Sequence, residues 1–121
     1  MNSGFETVFA RLRAILEPHA DRLKVTADAP AYYCLDVTFS PKLKKAFPVA
    51  WVKIGKAYVG YHFMPVYMFP RLREGMSDKL RARMQGKSCF NFKVSDETLF
   101  KELAELTAEG FALCRKAGFA P

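Results

Sequence analysis

Two segments, one near each end of the chain, carry apolar residues at the spacing of a helix face. In the first, apolar side chains recur three or four positions apart from Phe5 to Leu16. Ser3 is placed to cap this helix, and Pro18 follows its last turn. The pattern predicts a helix over residues 4–17.

The second helical segment is predicted over residues 96–117. Ser95 is its expected cap, and Val94 is placed to pack on Leu99 as a hydrophobic staple. Gly110 marks a point where another element can approach the helix backbone closely. The predicted apolar face consists of Leu99, Leu103, Leu106, Leu113 and Ala117.

Between the helices the hydrophobic period changes to two, which is typical of strands. The predicted strands span residues 23–26, 32–39, 50–54, 57–61 and 89–94.

The third and fourth strands read as a hairpin. A two-residue loop at 55–56 that begins with glycine favours a type II′ turn, which opposes Val52 to Val59 and Trp51 to Gly60.

The remaining segments are predicted from their prolines and glycines. Residues 40–48 form a basic loop between two prolines, and Pro65 and Pro70 are expected to interrupt any helix between them. A short helix over residues 77–84 is expected to end at Gly86, so that Gly86-Lys87-Ser88 becomes a helix-to-strand turn.

This order of elements predicts an α+β fold in one domain, residues 1–121. An antiparallel sheet of about five strands is covered on one face by the N-terminal and C-terminal helices. The expected covered face holds Leu35, Val37, Val52, Val59, Tyr61, Phe90 and Phe92. The opposite, open face holds Tyr32, Cys34, Asp36, Trp51, Lys53, Tyr58, His62, Cys89, Asn91 and Lys93.

Positive charge is concentrated in the middle of the chain. Residues 42–93 contain twelve Lys or Arg but only two carboxylates, Glu74 and Asp78, within a chain of net charge +7. Such asymmetry is typical of a surface that binds anions, although it also occurs on a merely solvated face.

No catalytic or metal-binding motif is found. Gly86-Lys87-Ser88 resembles the end of a phosphate-binding loop, but Arg81 stands where that motif needs glycine. His19 and His62 have no second ligand at metal spacing, so no metal or other cofactor is predicted. The three cysteines, Cys34, Cys89 and Cys114, read as packing thiols of a reducing compartment.

No apolar run approaches the roughly 20 residues of a membrane span, and no signal peptide is recognised at the N-terminus. A cytoplasmic protein without a membrane partner is therefore expected, and its oligomeric state is left open.

These observations predict a binding domain, not an enzyme. Its expected ligand is an anionic small molecule or an acidic partner, and the alternative is single-stranded nucleic acid, whose bases would stack on the open-face rings. A structural alternative is that residues 63–76 fold over the open face, in which case the aromatic residues of that face belong to a second small core. The candidate ligand-binding residues are Trp51, Lys53, Tyr58, His62, Arg83, Lys87, Ser88 and Asn91.

From Tyr58 onward the chain resembles the YdhG-like family of small bacterial domains of unknown function. The resemblance rests on Tyr58-x-x-Tyr61-His62-Phe63-Met64-Pro65-x-Tyr67 and on residues 83–92, Arg-Met-Gln-Gly-Lys-Ser-Cys-Phe-Asn-Phe. It implies a frataxin-like α/β sandwich, and one branch of the family is described as an iron chaperone. The first helix of this chain has only Glu6 and Glu17 as acidic residues, which disfavours iron carriage.

Overall fold

The computed structural model describes residues 3–120, with side chains from residue 4 onward. Five α-helices and six β-strands are present in this part of the chain, and a short 3-10 helix, Glu17–Arg22, follows the first helix. The helices are α1 (Ser3–Leu16), α2 (Met64–Met68), α3 (Pro70–Glu74), α4 (Asp78–Arg81) and α5 (Glu97–Ala117). The strands are β1 (Lys24–Ala29), β2 (Tyr32–Ser40), β3 (Lys45–Ile54), β4 (Val59–Phe63), β5 (Met84–Gln85) and β6 (Cys89–Phe92).

The sheet is antiparallel throughout, with the strand order β1-β2-β3-β4-β6-β5. The terminal helices α1 and α5 pack against each other, and α1 also packs on β3 and β4. The predicted α+β fold is confirmed. The sheet has one strand more than expected because β5, only two residues long, lies where the predicted helix over residues 77–84 was expected to end.

One hydrophobic core lies between the helices and the covered face of the sheet. All seven residues predicted for that face are buried, and Tyr61 and Phe90 are the largest of those that are fully buried. At Gly110 the backbone of α5 passes the ring of Phe63 so closely that an added Cβ would lie 2.5 Å from Phe63 Cε2. The close approach predicted at this glycine is confirmed.

The predicted register of the hairpin between β3 and β4 is wrong by two residues. Val52 lies opposite Tyr61, and Trp51 lies opposite His62 instead of Gly60. The turn is centred on residues 56–57, and Gly55 does not have the positive φ that a type II′ turn requires at its first central residue. A shift of two residues leaves each side chain on its predicted face, because side chains alternate with a period of two.

Each of the two middle prolines begins a short helix, and the helix between them ends before Pro70, as predicted, because Phe69 is extended. Pro65 and Pro70 stand in the first turns of α2 and α3, where a missing N–H costs nothing. From this segment Val66, Leu72 and Met76 join the main core. Both short helices pack against α5, so the segment 63–76 lies on the helical side of the sheet.

Two further boundary predictions differ from the structure, and a third is confirmed. The basic loop is shorter than residues 40–48, because β3 already begins at Lys45. Gly86, with φ 77°, lies in the turn between β5 and β6 instead of ending a helix. Ser77 does begin a helix, as predicted, and its Oγ accepts a hydrogen bond from the Leu80 N–H.

The cap of α5 is Asp96 instead of Ser95, since the Asp96 carboxylate accepts the Leu99 N–H at 3.1 Å. Val94 is 72% exposed and therefore does not act as a staple. On the apolar face of α5, Leu113 is half-buried and Ala117 is exposed, while Phe100 and Phe111 contribute instead. The cap predicted at Ser3 lies outside the described side chains.

None of the helices within residues 3–120 is both long enough and apolar enough to cross a membrane.

Candidate functional site

The strand register arranges the open face of the sheet in rows that cross it from strand to strand. Residues paired across antiparallel strands point to the same side, so each row is a line of neighbouring side chains. One row is Tyr32, Lys53, Gly60, Asn91 and Arg83. The next row is Cys34, Trp51, His62, Cys89 and Gln85.

Gly60 leaves a depression in the middle of the open face. Lys53 and Asn91 flank it within its row, and His62 stands beside it two residues along β4. Its φ is not positive, and an added Cβ would lie at an ordinary 3.6 Å from Cys89 Sγ. Neither backbone conformation nor packing requires glycine here, and a strand glycine costs roughly 0.5–1 kcal/mol relative to alanine.

One wall of the depression is built from Trp51 and His62. Their rings stack with centroids 3.9 Å apart and planes inclined by 7°. The His62 Nε2 lies 2.8 Å from Ser88 Oγ, and the two atoms share a hydrogen bond. Burial lowers the pKa of His62 below that of an ordinary histidine, so its imidazole is neutral at neutral pH. The ring is thus held on one side by stacking and at its edge by a hydroxyl.

The floor and the far wall are polar but uncharged. Cys89 Sγ lies 3.4 Å from Asn91 Oδ1, and Asn91 Nδ2 in turn donates to Gln85 Oε1. Burial raises the pKa of Cys89, so this residue is a thiol and not a thiolate. With one N–H directed to Gln85, Asn91 has a second donor that it can offer to a ligand.

Two shallow pockets share Tyr58 as a lining residue. The first, 460 Å³ in volume, is lined by the Trp51 and His62 rings, by Gly60 and by two lysines, Lys53 and Lys56. The second, 350 Å³ in volume, is lined by Asn91 and Gln85 and by two further cations, Arg83 and Lys93. We call them the lysine pocket and the arginine pocket. Within residues 3–120, no Asp or Glu lines either of them.

Six of the eight residues predicted for the site line these two pockets: Trp51, Lys53, Tyr58, His62, Arg83 and Asn91. Ser88 is buried, and it contacts the site through its bond to His62. Lys87 points elsewhere, because its Nζ lies 5.7 Å from the ring centroid of Tyr67 on α2.

Sequence reasoning did not name Lys56, Gly60, Gln85 or Lys93 as site residues, and all four line these pockets. Lys93 was already placed on the open face, so the alternation of side chains contained the signal. Lys56 lies in the predicted hairpin turn, and Gln85 lies just past the predicted helix over residues 77–84, so neither could be assigned to a face of the sheet. The absence of a side chain at Gly60 becomes meaningful only when its neighbours across the sheet are known.

Between residues 3 and 120, no three His, Cys, Asp or Glu side chains lie close enough together to hold a metal ion.

Comparisons of the chain with known protein families, with curated proteins and with solved structures found no match. The resemblance to the YdhG-like family therefore stays a prediction.

Proposed function

We propose that the open face of the sheet binds an anionic small molecule in the depression over Gly60. The observation that carries this proposal is Gly60, a strand glycine that lies among cationic and aromatic side chains. Neither its backbone conformation nor its packing requires glycine. A glycine whose Cβ is not excluded by the protein itself is explained if a ligand approaches the backbone there.

The charges of the site fit a ligand whose body is uncharged and whose periphery is anionic. His62 and Cys89 are neutral at neutral pH because burial disfavours their charged forms. The positive charge comes from side chains at the rim, Lys53 and Arg83 among them, which are exposed and attract anions over a distance. A planar group over Gly60 would meet the Tyr58 ring, while its anionic substituents would meet the cations.

Two of the sequence-based alternatives find less support. Bases of a single-stranded nucleic acid would stack on exposed rings, but one face of Trp51 is covered by His62 and the ring of Tyr32 has Lys53 over it, 5.6 Å from the centroid. Iron carriage would need clustered oxygen ligands, and the rim of the depression is cationic. We place the binding activity in the cytoplasm, in keeping with the expected reducing compartment.

A thermal-shift screen at low salt tests the proposal, because exposed charges are screened as ionic strength rises. Phosphate, mononucleotides, aromatic carboxylates and a short oligonucleotide form the panel. We expect the melting temperature to rise with at least one small anion and the rise to shrink with added salt. If no small anion shifts the melting temperature at low salt, the proposal is wrong.

The variant Gly60→Val links such binding to the depression. It fills the space over the glycine and should abolish the shift while the protein remains folded, since the added Cβ meets only ordinary contacts. Ala46→Val is the matched control, because it adds apolar bulk at an exposed position of β3. Binding that survives in Gly60→Val would place the site elsewhere.

A further inference from the structure

Among the described residues, each of the two pockets beside Tyr58 is lined by two cationic side chains and by no carboxylate. Lys53 and Lys56 line the lysine pocket, and Arg83 and Lys93 line the arginine pocket. None of the salt bridges found within residues 3–120 involves any of these four cations. Each pocket can therefore offer two cations to an anionic group.

The two sets of cations are too far apart to share one small anion. Lys53 and Arg83 belong to the same row of the open face, separated by Gly60 and Asn91. Three spacings between adjacent strands place their Cα atoms about 14 Å apart. The ammonium of Lys53 also leans over the ring of Tyr32, on the side away from Arg83.

The surface between the two pairs of cations is uncharged. Gly60 contributes no side chain there, the Cys89 thiol is held neutral by burial, and Asn91 presents an amide. Tyr58 forms a wall common to both pockets. A ligand group that lies over this surface needs no charge of its own. We expect it to be planar, because a planar group fits between the strands and Tyr58.

We propose that a single ligand spans both pockets and carries two anionic groups, phosphate or carboxylate, one at each end of a planar spacer. One group is bound by Lys53 and Lys56, the other by Arg83 and Lys93, and the spacer crosses Gly60. This inference rests on the proposed function, since it names the class of anion that the open face accepts.

Binding of rigid model compounds to the wild-type protein tests the proposal. The probes are para-linked biphenyl dicarboxylate, the matched biphenyl monocarboxylate, and the shorter benzene para-dicarboxylate, each titrated by calorimetry at low salt. We expect biphenyl dicarboxylate to bind about tenfold or more tightly than the monocarboxylate, because the second charge engages its pocket without a new loss of translational freedom. The shorter dicarboxylate should gain little, since it cannot reach both ends.

Two double variants assign the ends of the ligand. Lys53→Gln with Lys56→Gln, and Arg83→Gln with Lys93→Gln, should each reduce the affinity for biphenyl dicarboxylate to that for the monocarboxylate. Lys101→Gln with Lys116→Gln is the matched control, because it removes the same charge from exposed positions of α5.

The possible results separate the two proposals. Equal affinities for the dicarboxylate and the monocarboxylate, or equal gains for the long and short dicarboxylates, would overturn the two-ended ligand and leave anion binding intact. The same holds if neither biphenyl compound binds while phosphate or a mononucleotide does. If no anion binds at all, the proposed function fails first.

Discussion

The covered face and the open face of the sheet are made by alternate residues of the same strands, yet only one of them packs against the hydrophobic core. On β4, Val59, Tyr61 and Phe63 are fully buried, whereas Gly60 and His62 between them remain accessible. The covered face is fixed by contacts within the chain, so each of its residues has a structural explanation. The open face does not pack against the core, and no contact among the described residues explains its glycine, Gly60.

Replacement of one large side chain on the covered face should have the largest effect on stability. Phe90 is fully buried in β6, and Phe90→Ala should lower the free energy of unfolding by about 3–5 kcal/mol, because a cavity remains in the core. Urea unfolding measures the loss. The neighbouring Lys87→Ala, at an exposed position, should stay within about 0.5 kcal/mol of the wild type. Similar losses in both variants would mean that burial of Phe90 in the core is not the cause.

Loss of the buried hydrogen bond between Tyr61 and Thr107 should reduce stability by a smaller amount. The hydroxyls of Tyr61 and Thr107 lie 2.6 Å apart, and both side chains are buried. Tyr61→Phe should cost about 1–3 kcal/mol, since the Thr107 hydroxyl is left without its partner. Combining it with Thr107→Val should recover most of this loss, because no unsatisfied hydroxyl then remains. If the double variant is as unstable as the sum of the single variants, the hydrogen bond is not the cause.

On the open face, Gly60→Val should change stability in the opposite direction. A β-branched residue loses less conformational freedom than glycine in a strand, so the free energy of unfolding should rise by about 0.5–1 kcal/mol. The urea midpoint measures this change, with Ala46→Val as the reference for added bulk. A large loss of stability would mean that the fold itself needs this glycine, and the argument for a ligand over it would fail.

The faces were predictable from the sequence because hydrophobic alternation survives errors in register. The hairpin prediction placed the turn one residue too early, yet Val52 and Lys53 still fell on the correct sides, since the resulting slip was two residues. Hydrophobic alternation therefore decided the covered face before any pairing was known.

The site itself was predictable only in part, because it depends on which residues face each other across strands. The bond between His62 and Ser88 joins residues 26 positions apart, and it exists only in the actual register of β4 and β6. The two-residue strand β5 was invisible because two residues carry no period, so Gln85 could not be assigned to a face. Gly60 gave no signal of its own, since a missing side chain has meaning only among its neighbours.

A pH titration tests whether His62, in one wall of the depression, is uncharged at neutral pH. Burial lowers the pKa of His62, and burial together with Arg115 lowers that of His19, so the unfolded chain binds protons first on acidification. Their contribution to stability is present above about pH 6.5 and is lost as the pH falls through the lower folded values. The urea midpoint should therefore fall on acidification, and it should fall less in His62→Gln than in the wild type. The variant His19→Gln measures the separate contribution of His19.

Fluorescence of Trp51, the single tryptophan, reports His62 alone because the two rings are stacked. Its emission should change only below about pH 6.5 in the wild type, and this change should be absent in His62→Gln. If the emission changes above that pH, or if the change persists without His62, the wall formed by His62 is not neutral as argued.

The smallest expected effect concerns Lys87, which the sequence placed in the site. Its ammonium lies near the Tyr67 ring, and Lys87 lines neither pocket, whereas Arg83 lines the arginine pocket. At about 0.1 M salt, charges that do not contact a ligand are largely screened. Lys87→Ala should therefore leave the affinity for an anion unchanged, while Arg83→Ala lowers it about two- to tenfold, as calorimetry can measure. An equal loss in both variants would mean that the positive field of the whole open face attracts the ligand and that no particular pocket binds it.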